Sequence, residues 1–302
     1  MKIVIIGDKG QLGTDCRTLL SEDHEVMGCD FPHIDIGSRS SVDAFFHDIH
    51  PDIIINCAAF TAVDICETEL QLSWQVNAQG PKYLAKAGRR LGCKLIHIST
   101  DYIFDGFRPA PTPYLESDPA NPISQYGKSK LAGEEAVQQY AGDHIILRTA
   151  WLYSLSGPNF LKTMLKLAVT RPEQELKVVN DQYGALTWSR TLTEQIRRIL
   201  DTDINGIVHA TSEGHSSWYE GARYFLDAMG VPYKMRPCTS SEYPTPAARP
   251  ANSILENKVL KDAGLSIFTN WQEDIDIFVA DNKEQLLAEA LENRKNNPLT
   301  GN

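Results

Sequence analysis

Long apolar runs are missing from this chain, and no stretch approaches the roughly 20 residues that cross a bilayer as a helix. The opening Lys2-Ile3-Val4-Ile5-Ile6 runs straight into glycines, too short for a secretory leader and without its small-residue cleavage site. A cytoplasmic location with no membrane partner is the expectation. Basic residues are in deficit: 29 Lys and Arg stand against 39 Asp and Glu, a net charge of −10. That balance argues against nucleic acid as a partner, which calls for a basic surface. It leaves room for a small phosphate-bearing ligand, for which a helix N-terminus or a few local cations suffice. Six cysteines include no Cys-x-x-Cys pair and no nearby His at zinc-finger spacing, so they read as buried reduced thiols. No internal repeat is present either.

What remains is a globular chain, 42% hydrophobic and 23% charged over 302 residues, enough for one large domain or two unequal lobes. Residues 2–6 form a β-branched run without polar alternation, as in a buried parallel strand. Gly7, Gly10, Gln11, Leu12 and Gly13 follow as a G-x-x-G-x-x-G turn, and a helical pattern with Cys16, Leu19 and Leu20 comes next. Strand, glycine turn and helix together are the context in which a backbone can approach a pyrophosphate. A second strand, His24 to Cys29, ends at Asp30, whose carboxylate suits adenosine ribose hydroxyls and would repel a 2′-phosphate. That tilts the cofactor towards NADH. Asp35 and Ile36 lie where an adenine contact would fall. A third strand from Pro51 ends in the small residues Ala58 and Ala59, over which a flat cofactor can lie.

A helix is expected from near Leu72, then a strand from Lys94 with Ser99-Thr100-Asp101 at its carboxyl end. That end of an open parallel sheet is where ligands bind, and a hydroxyl there can donate to a carbonyl oxygen. Thr100 could equally cap a turn. A Pro-rich loop, Arg108 to Pro122, precedes Tyr126-Gly127-Lys128-Ser129-Lys130. Four residues apart on a helix, Tyr126 and Lys130 share one face. A phenol is a poor acid at neutral pH, with an ordinary pKa of about 10. An adjacent ammonium favours the phenolate, and the pair then suits proton exchange with a substrate oxygen. The strand His144 to Arg148 closes this half.

Beyond residue 155 the alternation loosens. Helices are expected at Asn159 to Thr170, Leu192 to Leu200 and Trp218 to Met229, with strands at Lys177 to Asn180 and Gly206 to Ala210. Pro232 to Ser253 is rich in Pro, Ser and Thr, and a last helix, Trp271 to Leu291, runs into a polar tail, 293–298, expected to fray. The pattern predicts an α/β protein. Its first 150 residues form a Rossmann-type doubly wound parallel sheet, and 151–302 form a smaller, discontinuous substrate lobe, some of whose segments return to the first.

The glycine turn, Ala58-Ala59, Ser99-Thr100-Asp101 and Tyr126…Lys130 form, in order, the set of an extended short-chain dehydrogenase/reductase. Three further segments, Asp101-Tyr102-Ile103-Phe104, Asn180-Asp181-Gln182-Tyr183-Gly184 and Tyr243-Pro244-Thr245-Pro246-Ala247 through Arg249-Pro250 to Asn252-Ser253, resemble the dTDP-4-dehydrorhamnose reductases. The likeness runs from Met1 to about Trp271. It implies NADPH- or NADH-dependent reduction of the C4 ketone of a dTDP-linked 4-keto-6-deoxy sugar, feeding dTDP-rhamnose into polysaccharide biosynthesis. By motif, Tyr126 would be the general acid, Lys130 would tune it and hold the nicotinamide ribose, and Thr100 would hold the carbonyl oxygen. Trp151, Asp101 and Asn252 would line the sugar pocket. Arg249 is the best cation for the diphosphate, because guanidinium matches phosphate bidentately. A homodimer is possible. Relatives that bind Mg2+ at a dimer contact use acidic residues for which Asp15 offers one match, but Thr187-Trp188-Ser189-Arg190-Thr191 lacks the rest, so no metal is expected. A 4-ketoreductase for another nucleotide-linked deoxysugar is an alternative reading. So is a non-catalytic regulatory subunit on this fold, which has no need of Thr100, Tyr126 and Lys130 together.

Overall fold

The computed structural model describes residues 1–295, with side chains to Glu292. The first half runs β1 (Lys2–Ile6), α1 (Gln11–Leu20), β2 (Glu25–Cys29), α2 (Arg39–Phe45) and β3 (Ile53–Asn56). It continues through α3 (Leu70–Trp74), α4 (Gly80–Leu91), β4 (Lys94–Thr100), α5 (Gln125–Tyr140) and β5 (His144–Thr149). The second half opens with β6 (Leu152–Tyr153), α6 (Phe160–Thr170), β7 (Glu175–Val179), β8 (Tyr183–Gly184) and β9 (Thr187–Trp188). Next come α7 (Ser189–Ile199), β10 (Gly206–His209), β11 (Ser216–Ser217) and α8 (Trp218–Met229). The chain ends with β12 (Lys234–Cys238), α9 (Lys258–Asp262) and α10 (Trp271–Lys295).

Six strands form one sheet in the order β10-β5-β4-β3-β1-β2, every neighbour parallel. This is the doubly wound arrangement expected from the alternation of apolar runs and helices. Ile3 to Ile6 are at most 1% exposed because helices cover both faces of β1. Leu12 and Cys16 of α1 join Leu192, Ile196 and Ile199 of α7 on one face. Leu84 and Ala87 of α4, Val137 of α5 and Val42 of α2 close the other. From β1 the sheet extends one way to β2 and the other way to β3, so the switch-point crevice opens at their carboxyl ends.

The second half is divided. α7 and β10 return to the sheet, β10 as its edge strand against β5. The rest builds a core of its own from Leu161 and Leu165 of α6, Phe225 and Leu226 of α8, and Phe278 of α10. Two differences from the sequence reading stand out. The helix expected near Leu72 is composite: α3 passes through a wide π turn, Gln75–Gln79, before α4 resumes with Pro81 in its first turn. The Pro232 to Ser253 stretch holds β12, paired in parallel with β7. Pro237 sits within β12, which is tolerated in a two-stranded pair that leaves one edge open. The tail 293–298, expected to fray, runs beyond the described residues.

Candidate active site

The crevice starts at the glycine turn. Gly7 has φ +81°, and a Cβ there would stand 2.7 Å from the Ala58 nitrogen, so only glycine lets β1 and β3 end side by side. A side chain at Gly13 would run into the Gly7 carbonyl, so α1 can approach the turn closely. Gly10 is the extended N-cap of α1 and brings no capping side chain, which leaves first-turn N–H groups open for an anion. A cavity of about 470 Å³ adjoins it, lined by Gly7, Gly10, Asp30, Asp35, Ile36 and the Ala58-Ala59 pair among others. Its place beside the glycine turn and its lining suit the adenosine and pyrophosphate of a dinucleotide. Leu12 and Gln11 are not in the lining: Leu12 packs in the core, and Gln11 Oε1 accepts from Asn159 Nδ2 at 3.3 Å. They can serve the ligand only through the backbone. Asp30 Oδ1 accepts the Phe31 N–H at 2.7 Å, and Asp35 Oδ1 accepts the Gly37 N–H at 2.9 Å, so both carboxylates are partly spent on their own turns.

At the end of β4, Thr100 caps the short turn Asp101–Ile103 by accepting the Tyr102 N–H at 3.2 Å, and it donates to Asp101 Oδ1 at 3.1 Å. The helix carrying Tyr126 begins at Ser124, whose Oγ accepts the Gly127 N–H at 3.1 Å. A Cβ at Gly127 would stand 2.2 Å from the Tyr102 carbonyl oxygen, so glycine is what lets α5 press onto the Thr100 turn. From the other side, Asn77 in the π turn brackets Phe60, accepting its N–H at 2.8 Å and donating to its carbonyl at 3.0 Å. The same Asn77 amide donates to Ser129 Oγ at 3.1 Å, tying the strand-end loop to α5. Asn77 and Ser129 escaped the sequence reading; only the spacing of polar residues inside apolar helix faces hinted at them.

Burial raises the Tyr126 phenol above its ordinary value, with the nearby Thr100 hydroxyl pulling the other way. Lys130 points elsewhere: its Nζ donates to the Ile98 carbonyl at 2.6 Å. Burial lowers the Lys130 ammonium to about 8, with Glu134 and Cys57 pulling upward. The tuning of the phenol expected from Lys130 does not figure here, and desolvation dominates instead. The Asp101 carboxyl is likewise raised by burial, to about 6, although hydroxyls of Ser253 and Thr100 favour its charged form.

On the far side of Tyr102 lies a larger cavity of about 960 Å³ between the lobes, with Asp64, Phe160, Lys177, Trp218, Tyr243 and Arg249 in its wall. Arg249 reaches it already paired: Nη1 and Nη2 donate to Asp64 Oδ1 and Oδ2 at 3.0 and 2.9 Å. Asn252 is buried beneath the wall, its amide donating to the Arg108 and Thr112 carbonyls at 3.1 and 2.8 Å. Trp151 is also outside the lining. Its backbone has φ +46°, the one non-glycine residue in the left-handed region among those described. Its indole stacks on Trp218 at 3.6 Å and 9°, over Gly184, where a Cβ would stand 2.5 Å from Trp151 Cε2. Trp218 presents an aromatic surface to the cavity, a role the sequence reading did not give it.

A doubly wound parallel sheet, a glycine turn at its first strand and a Thr–Tyr–Lys set at the carboxyl edge define a short-chain dehydrogenase/reductase of the extended, two-lobed kind. A family model described as the RmlD substrate binding domain matches residues 1–284, and the chain belongs to that family. Among its relatives, a dTDP-4-dehydrorhamnose reductase of Sinorhizobium fredii is 40% identical over 285 residues, covering 90% of this chain and 95% of the other. The crystal structure of a dTDP-4-dehydrorhamnose reductase from Clostridium acetobutylicum matches with a TM-score of 0.88 at 40% identity, covering 93% of this chain and 99% of that one. A Bacillus anthracis dTDP-4-dehydrorhamnose reductase, solved in complex with NADP, matches with a TM-score of 0.89 at 35% identity over the same shares, 93% and 99%. The resemblance read from the motifs is borne out. Among the described residues, no helix is long and apolar enough to cross a membrane, and no cluster of three metal-ligating side chains occurs.

Proposed function

We propose that the chain reduces the C4 ketone of dTDP-4-dehydro-L-rhamnose to dTDP-L-rhamnose, with NADPH or NADH as the reductant. One observation carries this reading: Thr100 ends β4, the Tyr126 ring meets Tyr102 edge-on at 5.6 Å just beyond it, and Tyr102 lines the larger cavity, while the smaller cavity adjoins the glycine turn. The reduced nicotinamide supplies the hydride when bound. The protein's share is to hold the ketone, supply the proton and exclude water.

Tyr126 donates its phenolic proton to the C4 oxygen as charge builds on it. Burial keeps that phenol protonated at neutral pH, which is the form a reduction consumes. Thr100, held in its turn by Tyr102 and Asp101, turns its hydroxyl to the same oxygen. Lys130, one turn further along α5, can hold a ribose hydroxyl with its ammonium and, swung from the Ile98 carbonyl, steady the phenolate left after transfer. Gly7, Gly10 and Gly13 give the pyrophosphate close access to the start of α1, with the Gln11 and Leu12 backbones beside it. Asp30, Asp35, Ile36, Ala58 and Ala59 frame the adenosine. Asp101, Trp151 and Asn252 shape the sugar end from behind, through Thr100, Trp218 and the Arg108 loop respectively. Arg249 takes the diphosphate in exchange for Asp64, an anion for an anion. The test is loss of reduced-nicotinamide absorbance with dTDP-4-dehydro-L-rhamnose beside other 4-keto sugar nucleotides. Cofactor binding without turnover of any of them would overturn the proposal.

A further inference from the structure

Behind the Thr100–Tyr126–Lys130 set lies a buried network of three residues that the reduction itself does not use. Glu134 is one turn past Lys130 and two past Tyr126, on the same side of α5. Its carboxylate accepts from Ser99 Oγ, from Arg148 Nη2 at 2.7 Å and from Arg148 Nε at 3.0 and 3.2 Å. Ser99 and Arg148 are register partners across β4 and β5, so one side chain of α5 grips two adjacent strands. Ser99 directly precedes Thr100. Glu134 and Arg148 are 1% and 3% exposed. A salt bridge so deep contributes little net stability compared with apolar packing, so stability alone is a weak reason for it.

We propose that Glu134 is a positioning residue for proton transfer: its carboxylate locks α5 to β4 and β5 and keeps the neighbouring Lys130 ammonium charged. The surroundings of Lys130 leave this work to Glu134. From β4 it meets the Ile98 carbonyl and His97, which burial and Lys130 itself hold neutral. From the end of β3 it faces the Cys57 thiol, which Cys16 of α1 and burial push towards its protonated form. On its own helix it has Tyr126 and Glu134. Arg148 is on the far side of Glu134 and engages its carboxylate. With the Glu134 charge removed, the ammonium would be left in a dry site beside a thiol and a neutral imidazole, an environment that favours loss of its proton.

The kinetic arm of the test rests on the reductase reading; the spectroscopic arm does not. Lysine labelled at its side-chain carbon is followed by NMR through a pH titration of the ligand-free chain, with Lys130→Arg assigning the signal. The parent and Glu134→Asp should titrate near 8, the value to which burial lowers Lys130. Glu134→Gln should fall lower by about one unit or more, and the alkaline limb of kcat should move with it, for a loss of roughly fivefold or more at pH 8. Unmoved Lys130 midpoints in Glu134→Gln, or an equal fall in Glu134→Asp, would reduce the network to a structural clamp and sink the proposal. Should Glu134→Gln not fold because Arg148 is left unpaired, the Glu134→Gln/Arg148→Met pair is titrated in the same way and judged by the same shift. Turnover absent from every variant, with the NMR shift present, would count against the reductase reading and leave this one standing.

Discussion

In the proposed reaction Thr100, Tyr126 and Lys130 carry the chemistry, and their environments differ more than their spacing suggests. Tyr126 is made a weaker acid by burial, and Lys130 a weaker base. Tyr126→Phe removes the donor and almost no volume, so kcat should fall by about 10²–10⁴-fold, with cofactor binding by fluorescence titration unchanged. Asp101 has a pH signature of its own. Its carboxyl titrates at about 6 in the folded chain against 3.8 in the unfolded reference, so between those values the folded state holds the extra proton. Stability from this group is present below 3.8 and is lost as pH rises through 6. Asp101→Asn should flatten that part of the stability curve, as read from denaturant midpoints between pH 4 and 7. Trp218 is one of the aromatic side chains lining the larger cavity. Trp218→Leu should raise KM for the sugar nucleotide about fivefold or more, a loss of the size set by one aromatic contact, and leave KM for the cofactor unmoved.

The working unit is α5 laid against β4. Glycine at 127 and 133 sets how close α5 comes to the turn after β4 and to the π turn, since a Cβ at either would stand 2.2 Å from a backbone carbonyl oxygen, of Tyr102 and of Asn77. Gly127→Ala should therefore cost about 1–3 kcal/mol of stability as overpacking, measured by chemical denaturation, and lower kcat by shifting Tyr126 away from Thr100. Most elements were legible in the chain itself: β1, the α5 face and the whole span of α8 follow apolar runs and 3.6-residue periodicity. β12 was not, because Lys-Met-Arg-Pro-Cys shows neither alternation nor a β-branched run, and its pairing with β7 is a long-range choice. The π turn holding Asn77 was equally hidden, since one extra residue per turn leaves the composition unchanged.

At the scale of the whole chain, the lobes are interleaved instead of consecutive. A fragment ending at residue 150 would lack β10 at the sheet edge and Leu192, Ile196 and Ile199 of α7 over its face. We predict that it loses cooperative unfolding by circular dichroism, while the full chain keeps it. The sequence by itself determined the sheet, the glycine turn, the Thr–Tyr–Lys set and the family, because each rests on a local pattern that chain geometry enforces: continuous apolar runs, period 3.6, or a turn only glycine allows. The tertiary structure alone decided what surrounds those residues. It paired Arg249 with Asp64, set Trp218 in front of Trp151, turned Lys130 to the Ile98 carbonyl and drove the pKa values by burial. Contact partners and solvent exclusion depend on segments far apart in the chain meeting in space, and no local pattern records which ones will meet.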